Sequence, residues 1–245
     1  MFSEENRTEK FDLISSLAFF AWLFLGASLF AVPLMIIAPI VLHMTPEEYA
    51  SNVQLVTEHS YIVGVIAHIL GIVAFVLLYK RVIKQDAINF KSNWIKYIII
   101  IVAGFILLYL SNYLMGILYE LLGLGGQTSQ NQQGIIDALH GSTVPFVIIY
   151  TVILAPIFEE IVFRKLFFTA LKKYTKLPVW AIVLIISAVF AFIHVTDLES
   201  LVFFPQYFVL ALLITGAYAI TKENLLVSTG LHFLNNIVAV LEIIL

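Results

Sequence analysis

The chain has 245 residues, of which 61% are hydrophobic and only 12% charged, against about 25% charged in an ordinary soluble domain. No single water-exposed core hides that much apolar surface, so the bilayer is the expected solvent. A formal net charge of −3 offers nothing to a nucleic-acid partner, and the lack of cysteine excludes disulfides, thiolate metal sites and a cysteine nucleophile.

A membrane-spanning helix needs about 20 apolar residues. Seven stretches supply them: 12–43, 60–79, 95–119, 144–171, 179–195, 201–220 and 225–245. The expected fold is all-α, a polytopic transmembrane helix bundle of about seven spans. The flank Met1–Lys10 carries three glutamates, and the run after it is too long for the apolar region of a cleaved signal, so it reads as the first anchor. Pro33 and Pro39 predict a kink or an interfacial end in the first stretch, and Pro205 an interruption of the sixth.

The charges between spans sort by side. All 13 basic residues precede span one, cluster around the link between spans two and three (Lys80 to Lys96), lie at the end of span four and after it (Arg164 to Lys176) or precede span seven (Lys222). The alternate links hold acidic residues alone: Glu47, Glu48, Glu58, Glu120, Asp137, Asp197 and Glu199. The positive-inside rule then predicts a cytoplasmic N-terminus and an external C-terminus. The segment 123–134 is polar and glycine-rich and reads as a flexible external loop, and 135–141 as a short interfacial helix. No repeat or soluble domain is visible. The division expected is spans one to three with their loops (1–143), then one membrane-embedded unit (144–245).

Ionisable groups deep in hydrocarbon are costly and mark function by default. Span four holds Glu159, Glu160 and Arg164, span five His194 with Phe190 one turn earlier, span seven His232 and Asn236, and span two His68. Glu160 and Arg164 are four apart on one helix face, acid first, the favourable order for an ion pair. Glu159 sits about 100° around the helix from Glu160 and is left free by that pairing. Counting a 1.5 Å rise from Lys172, Trp180 and Asn224 as interface markers puts Glu159, His194, His232 and Asn236 roughly 12–21 Å deep, consistent with one shared site. His68 stands alone and reads as a helix–helix contact, Phe190 as packing, and Asn235 and Asn236 also suit interhelical bonding.

Peptide hydrolysis needs an activated water, a stabilised oxyanion and a proton for the leaving amine. A carboxylate and a histidine on one water supply base and acid, which suits Glu159 and His194. A second imidazole and an amide, His232 and Asn236, suit the oxyanion. Alternatively Glu159, His194 and His232 hold a zinc ion with an open position, and spacing does not choose between the two. Neither an HExxH helix nor a G-x-S-x-G turn is present. A catalytically silent scaffold or immunity protein binding a partner, and a transporter or proton pathway, are the competing readings of the same buried groups.

These residues resemble a known family. Glu159-Glu160-Ile-Val-Phe-Arg164 is similar to the EExxxR motif of the CAAX-protease and bacteriocin-processing (CPBP, or Abi) membrane peptidases, Phe190-Ala-Phe-Ile-His194 to its FxxxH motif, and His232-Phe-Leu-Asn-Asn236 to its HxxxN motif. The run Asn224-Leu-Leu adds to the likeness, which covers about residues 145–245. The resemblance implies an intramembrane endopeptidase acting on small membrane-bound or secreted peptides or single-span proteins. In it Glu159 and His194 activate water, His232 and Asn236 form the oxyanion site, and Glu160, Arg164 and Phe190 support them. The family includes enzymes that remove the last three residues of prenylated CAAX proteins, and bacterial members tied to bacteriocin immunity and peptide maturation. It is labelled metalloprotease and also read as a metal-free glutamate enzyme. The expectation is no cofactor, with zinc kept open. The expected surroundings are lipid and a peptide substrate in a bacterial plasma membrane.

Overall fold

Every one of the seven apolar stretches folds as helix, and most of the breaks fall at glycine, asparagine or proline. The computed structural model describes residues 4–195 and 197–245, with side chains from residue 14 onward except at 38, 54, 55, 57 and 58. Among the described residues every regular element is a helix.

Helices α1 (Glu4–Leu25) and α2 (Ser28–Val41) share the first stretch. They meet at a 47° bend. The kink expected from Pro33 and Pro39 lies instead at Gly26, where an added Cβ would sit 2.6 Å from the Trp22 carbonyl oxygen. Helix α3 (Pro46–Glu58) lies outside the expected apolar stretches. It opens on a reciprocal cap in which Glu48 accepts from the Thr45 N–H at 2.7 Å and Thr45 Oγ1 accepts from the Glu48 N–H at 3.3 Å. Those bonds hold the Glu48 carboxyl below its usual range.

Helix α4 (Ser60–Ser92) outlasts the predicted span 60–79. Tyr79 leaves helical geometry at φ −115° and ψ 23°, and the chain then resumes as a helix through what was expected to be a link. It ends at Asn93, whose side-chain amide donates to the Asn89 carbonyl at 2.9 Å, and α5 (Trp94–Leu121) follows. The glycine-rich segment expected to be a flexible external loop is partly helical, because α6 (Gln130–Leu139) begins inside it, capped by Ser129 accepting from the Gln132 N–H at 3.2 Å.

Helix α7 runs Val144–Tyr174, and α8 Val179–Ile193. Pro205 does not interrupt the sixth stretch. A 3₁₀ turn (Glu199–Phe203) leads into α9 (Phe204–Ile220), and Pro205 stands in the first turn of α9, where its missing N–H costs nothing. Asn224 caps α10 (Leu225–Ile244) by accepting from the Leu226 N–H at 3.1 Å.

Five helical segments are long and apolar enough to cross a membrane: α4, α5, α7, Glu199–Ile220 and α10; the bent α1–α2 pair makes a sixth if it is one span. At 15 residues, α8 reaches only about 22 Å. The chain is thus an all-helical, multi-pass membrane protein. Lipid is as apolar as leucine, so these helices are held by close packing rather than by water exclusion. Buried Phe75, Phe158, Phe163, Phe168 and Phe190 fill the seams around α7, while Ile99, Ile106 and Leu114 leave the outer face of α5 exposed. Gly71 lets α4 approach α7 closely, since a Cβ there would lie 2.5 Å from the Phe158 ring.

Candidate active site

The site begins with an irregularity of α7. Two wide, π-type stretches, Ile149–Leu154 and Ile161–Phe168, flank the regular turn Ala155–Glu160. In the first, the Ala155 N–H donates to the Tyr150 carbonyl five residues back. The next bond at that spacing, to the Thr151 carbonyl, would come from residue 156, which is proline and has no N–H. That carbonyl is taken by another helix: Asn236 Nδ2 on α10 donates to it at 2.9 Å. Asn235 Nδ2 in turn donates to Asn236 Oδ1 at 3.1 Å, so the Asn236 amide is held at both ends.

One turn on, the two glutamates part company. Glu160 and Arg164 are both fully buried, with Nη1 2.9 Å from Oε1. None of the guanidinium N–H groups is aligned for a directed hydrogen bond, so the contact is an ion pair by proximity. The Arg164 guanidinium also lies over the Phe190 ring, 4.7 Å from its centroid. The same Glu160 oxygen accepts from His232 Nδ1–H at 2.9 Å. This bond fixes the imidazole, whose Nε2 lies 3.8 Å from Glu159 Oε2. His194 ends α8 and donates its Nδ1–H to the Phe190 carbonyl at 2.8 Å, which fixes the orientation of the ring. Phe190 stacks on His194 at 4.4 Å and meets His232 edge-on at 5.9 Å, so one aromatic ring spaces the two imidazoles.

Glu159, His194, His232, Asn235 and Asn236 line one cavity of about 880 Å³. Glu160 and Arg164 stand behind its wall, and Phe190 forms part of it. The cavity extends past Tyr150 to Tyr109, Asn112 and Tyr113 of α5 and to Gln127, Ser129 and Gln132 at the start of α6. His68 is apart from it: buried, with Nδ1 3.0 Å from the Gly64 carbonyl oxygen and its ring edge-on to Tyr150 and Phe158. Among the described residues, no group of three or more His, Asp or Glu side chains is set to hold a metal ion. As placed, Glu159, His194 and His232 do not form a metal cradle.

Several participants were not singled out in the sequence. Tyr207 of α9 stacks on His194 at 5.0 Å and bonds Ser129 Oγ through its hydroxyl at 2.5 Å, tying the imidazole to the cap of α6. A tyrosine in an apolar run carries no local signal of this. Asp86 lies in the expected link between spans two and three, and it is buried against α7 and α10. It takes Lys165 Nζ at 2.9 Å and the Leu225 N–H at 3.2 Å, while its carbonyl accepts from Asn224 Nδ2 at 2.8 Å.

Comparison with known proteins agrees with this region. Residues 141–238 match the family model described as "Type II CAAX prenyl endopeptidase Rce1-like". A Bacillus subtilis (strain 168) protein named "Putative membrane peptidase YdiL" is 34% identical over 162 residues, 65% of this chain and 63% of that protein. The chain therefore spans somewhat under two thirds of that relative's length. No solved structure matches.

Proposed function

Through residues 141–238 the chain belongs to the CAAX-protease and bacteriocin-processing family of membrane proteins, and from that premise we propose that it is an intramembrane endopeptidase. The observation that supports this best is the convergence of Glu159, His194, His232 and Asn236, from three helices, on one cavity. In the proposed reaction a water sits between Glu159 and His194. Its oxygen attacks the scissile carbonyl carbon while its proton passes to this pair. The negative charge that develops on the carbonyl oxygen is met by the Asn236 amide and by His232 carrying a proton on Nε2. Glu160 orients His232 and balances its charge, and Arg164 neutralises Glu160. As the C–N bond breaks, the proton held by the Glu159–His194 pair goes to the leaving amine. No step here requires a metal, and activity is expected to persist in a chelator.

The substrates proposed are small membrane-bound or secreted peptides or single-span proteins, reached from within the lipid. The membrane proposed is a bacterial plasma membrane, with the basic segments on the cytoplasmic side and the cavity opening toward the outside. The test is genetic. The gene is deleted and restored as wild type or as Glu159→Ala, and the termini of small membrane and secreted peptides are profiled by mass spectrometry. A terminus present with wild type and lost with Glu159→Ala at equal protein level is expected. Loss on the order of a hundredfold or more is the scale for a positioned acid–base group. If both forms restore the same peptides and phenotype, a non-catalytic scaffold is the better reading.

A further inference from the structure

The cavity wall has a one-sided charge. Among the described residues that line it, none is lysine or arginine, and the carboxylates are Glu159 in its depth and exposed Glu242 in the last turns of α10. The one cation close by, Arg164, stands behind the wall and is spent on Glu160. The imidazoles do not make up the deficit. His232 already lies between two carboxylates, at 2.9 and 3.8 Å, and the His194 Nδ1–H is committed to the Phe190 carbonyl. The rest of the polar lining is neutral: amides such as Asn112, Gln132, Gln206 and Asn235, and hydroxyls such as Tyr109 and Tyr113.

Such a lining treats ligands unequally. Amides and hydroxyls both donate and accept, so they can pair the N–H and C=O groups of an extended peptide. A carboxylate brought into the same space gives up its water, finds no cation that is not already paired with a carboxylate, and faces Glu159. A three-residue leaving group with a free C-terminus would put its carboxylate roughly 10 Å from the scissile bond, still beside these walls. We infer that the site, given the peptidase reading above, selects internal bonds in neutral or basic segments. It rejects a free C-terminal carboxylate or an acidic side chain within about three residues of the bond. On this inference the chain is not built for release of a C-terminal tripeptide.

The inference is tested with the full chain in phosphatidylcholine nanodiscs, so that no anionic lipid biases the charge. The probes are internally quenched decapeptide pools of one degenerate centre, made with a C-terminal carboxamide or a free carboxylate three residues after the centre, and with lysine or glutamate beside it. Carboxamide and lysine pools are expected to be cleaved on the order of tenfold faster than carboxylate and glutamate pools. Glu242→Lys, outside the reacting groups, is expected to narrow that gap roughly twofold to fivefold. Equal or faster cleavage of the acidic pools overturns the inference while leaving the peptidase reading intact. If wild type cleaves no pool, the peptidase reading fails separately, and binding of the same labelled pools decides the charge preference. Tighter binding of the carboxamide and lysine pools supports it, and equal or weaker binding overturns it.

Discussion

Arg164 carries its charge into a fully buried position, with one carboxylate beside it and one aromatic face beneath it. Removing one member of such a pair strands the other, which costs about 3–5 kcal/mol, whereas replacing both by apolar groups of similar volume is often neutral. Arg164→Ala is therefore expected to destabilise the protein on that scale. The double variant Glu160→Leu/Arg164→Met should recover most of the stability and none of the activity, as read by thermal unfolding in detergent alongside peptide cleavage. A pair that served stability alone would lose no activity in the double variant. The pairing itself was legible, because two charges four apart on one helix meet by its periodicity alone. That the same Glu160 oxygen also holds His232 was not, since the partners are 72 residues apart and only packing of α7 on α10 joins them. Glu159 and Glu160 look alike in the sequence. They differ in that one faces the cavity and the other the seam behind it.

At the scale of the element, the wide turns of α7 connect a proline to the Asn236 amide. Pro156 leaves the Thr151 carbonyl without a helical partner, and Asn236 fills the gap from α10. Pro156→Ala supplies an N–H that competes for this carbonyl, which lets the Asn236 amide turn away. The expected result is a fall in kcat with little change in KM. Its scale is up to that of losing one oxyanion donor, about a hundredfold to a thousandfold, with stability unchanged or improved. A variant that lowered stability and left kcat intact would assign the proline to packing instead. Proline in an apolar run announces a departure from the α-helix, but not which neighbour collects the orphaned carbonyl. Pro33 and Pro39 show the converse, because α2 absorbs both and the bend falls at Gly26. The helical continuation of α4 beyond Tyr79 was also hidden, since a charged run after a span reads equally as loop or helix.

For the whole molecule, the segregation of its charges predicts that the cavity opens toward the outside. The absence of cysteine makes this testable by labelling with no background. Gly125→Cys, in the segment before α6, is expected to react with a membrane-impermeant maleimide in intact cells. Gln85→Cys, on the α4 extension, should react only after permeabilisation. The reverse pattern would place the cavity mouth on the cytoplasmic side. The apolar stretches identified the membrane-embedded helices well because the bilayer demands their length. They said less about α3 and α6, whose formation rests on the caps at Thr45 and Ser129.

The contact of Asp86 with both Lys165 and Asn224–Leu225 gives the two site-bearing helices a common datum. Measured from that carboxylate, Glu159 lies six residues up α7 from Lys165, and His232 lies eight residues up α10 from Asn224. A slip of one helix past the other by a single residue is about 1.5 Å, enough to part a 2.9 Å bond between Glu160 and His232. The tolerance of the site is thus set at a gauge block outside it. Asp86→Asn, which touches no reacting group, should blunt turnover while leaving the protein folded.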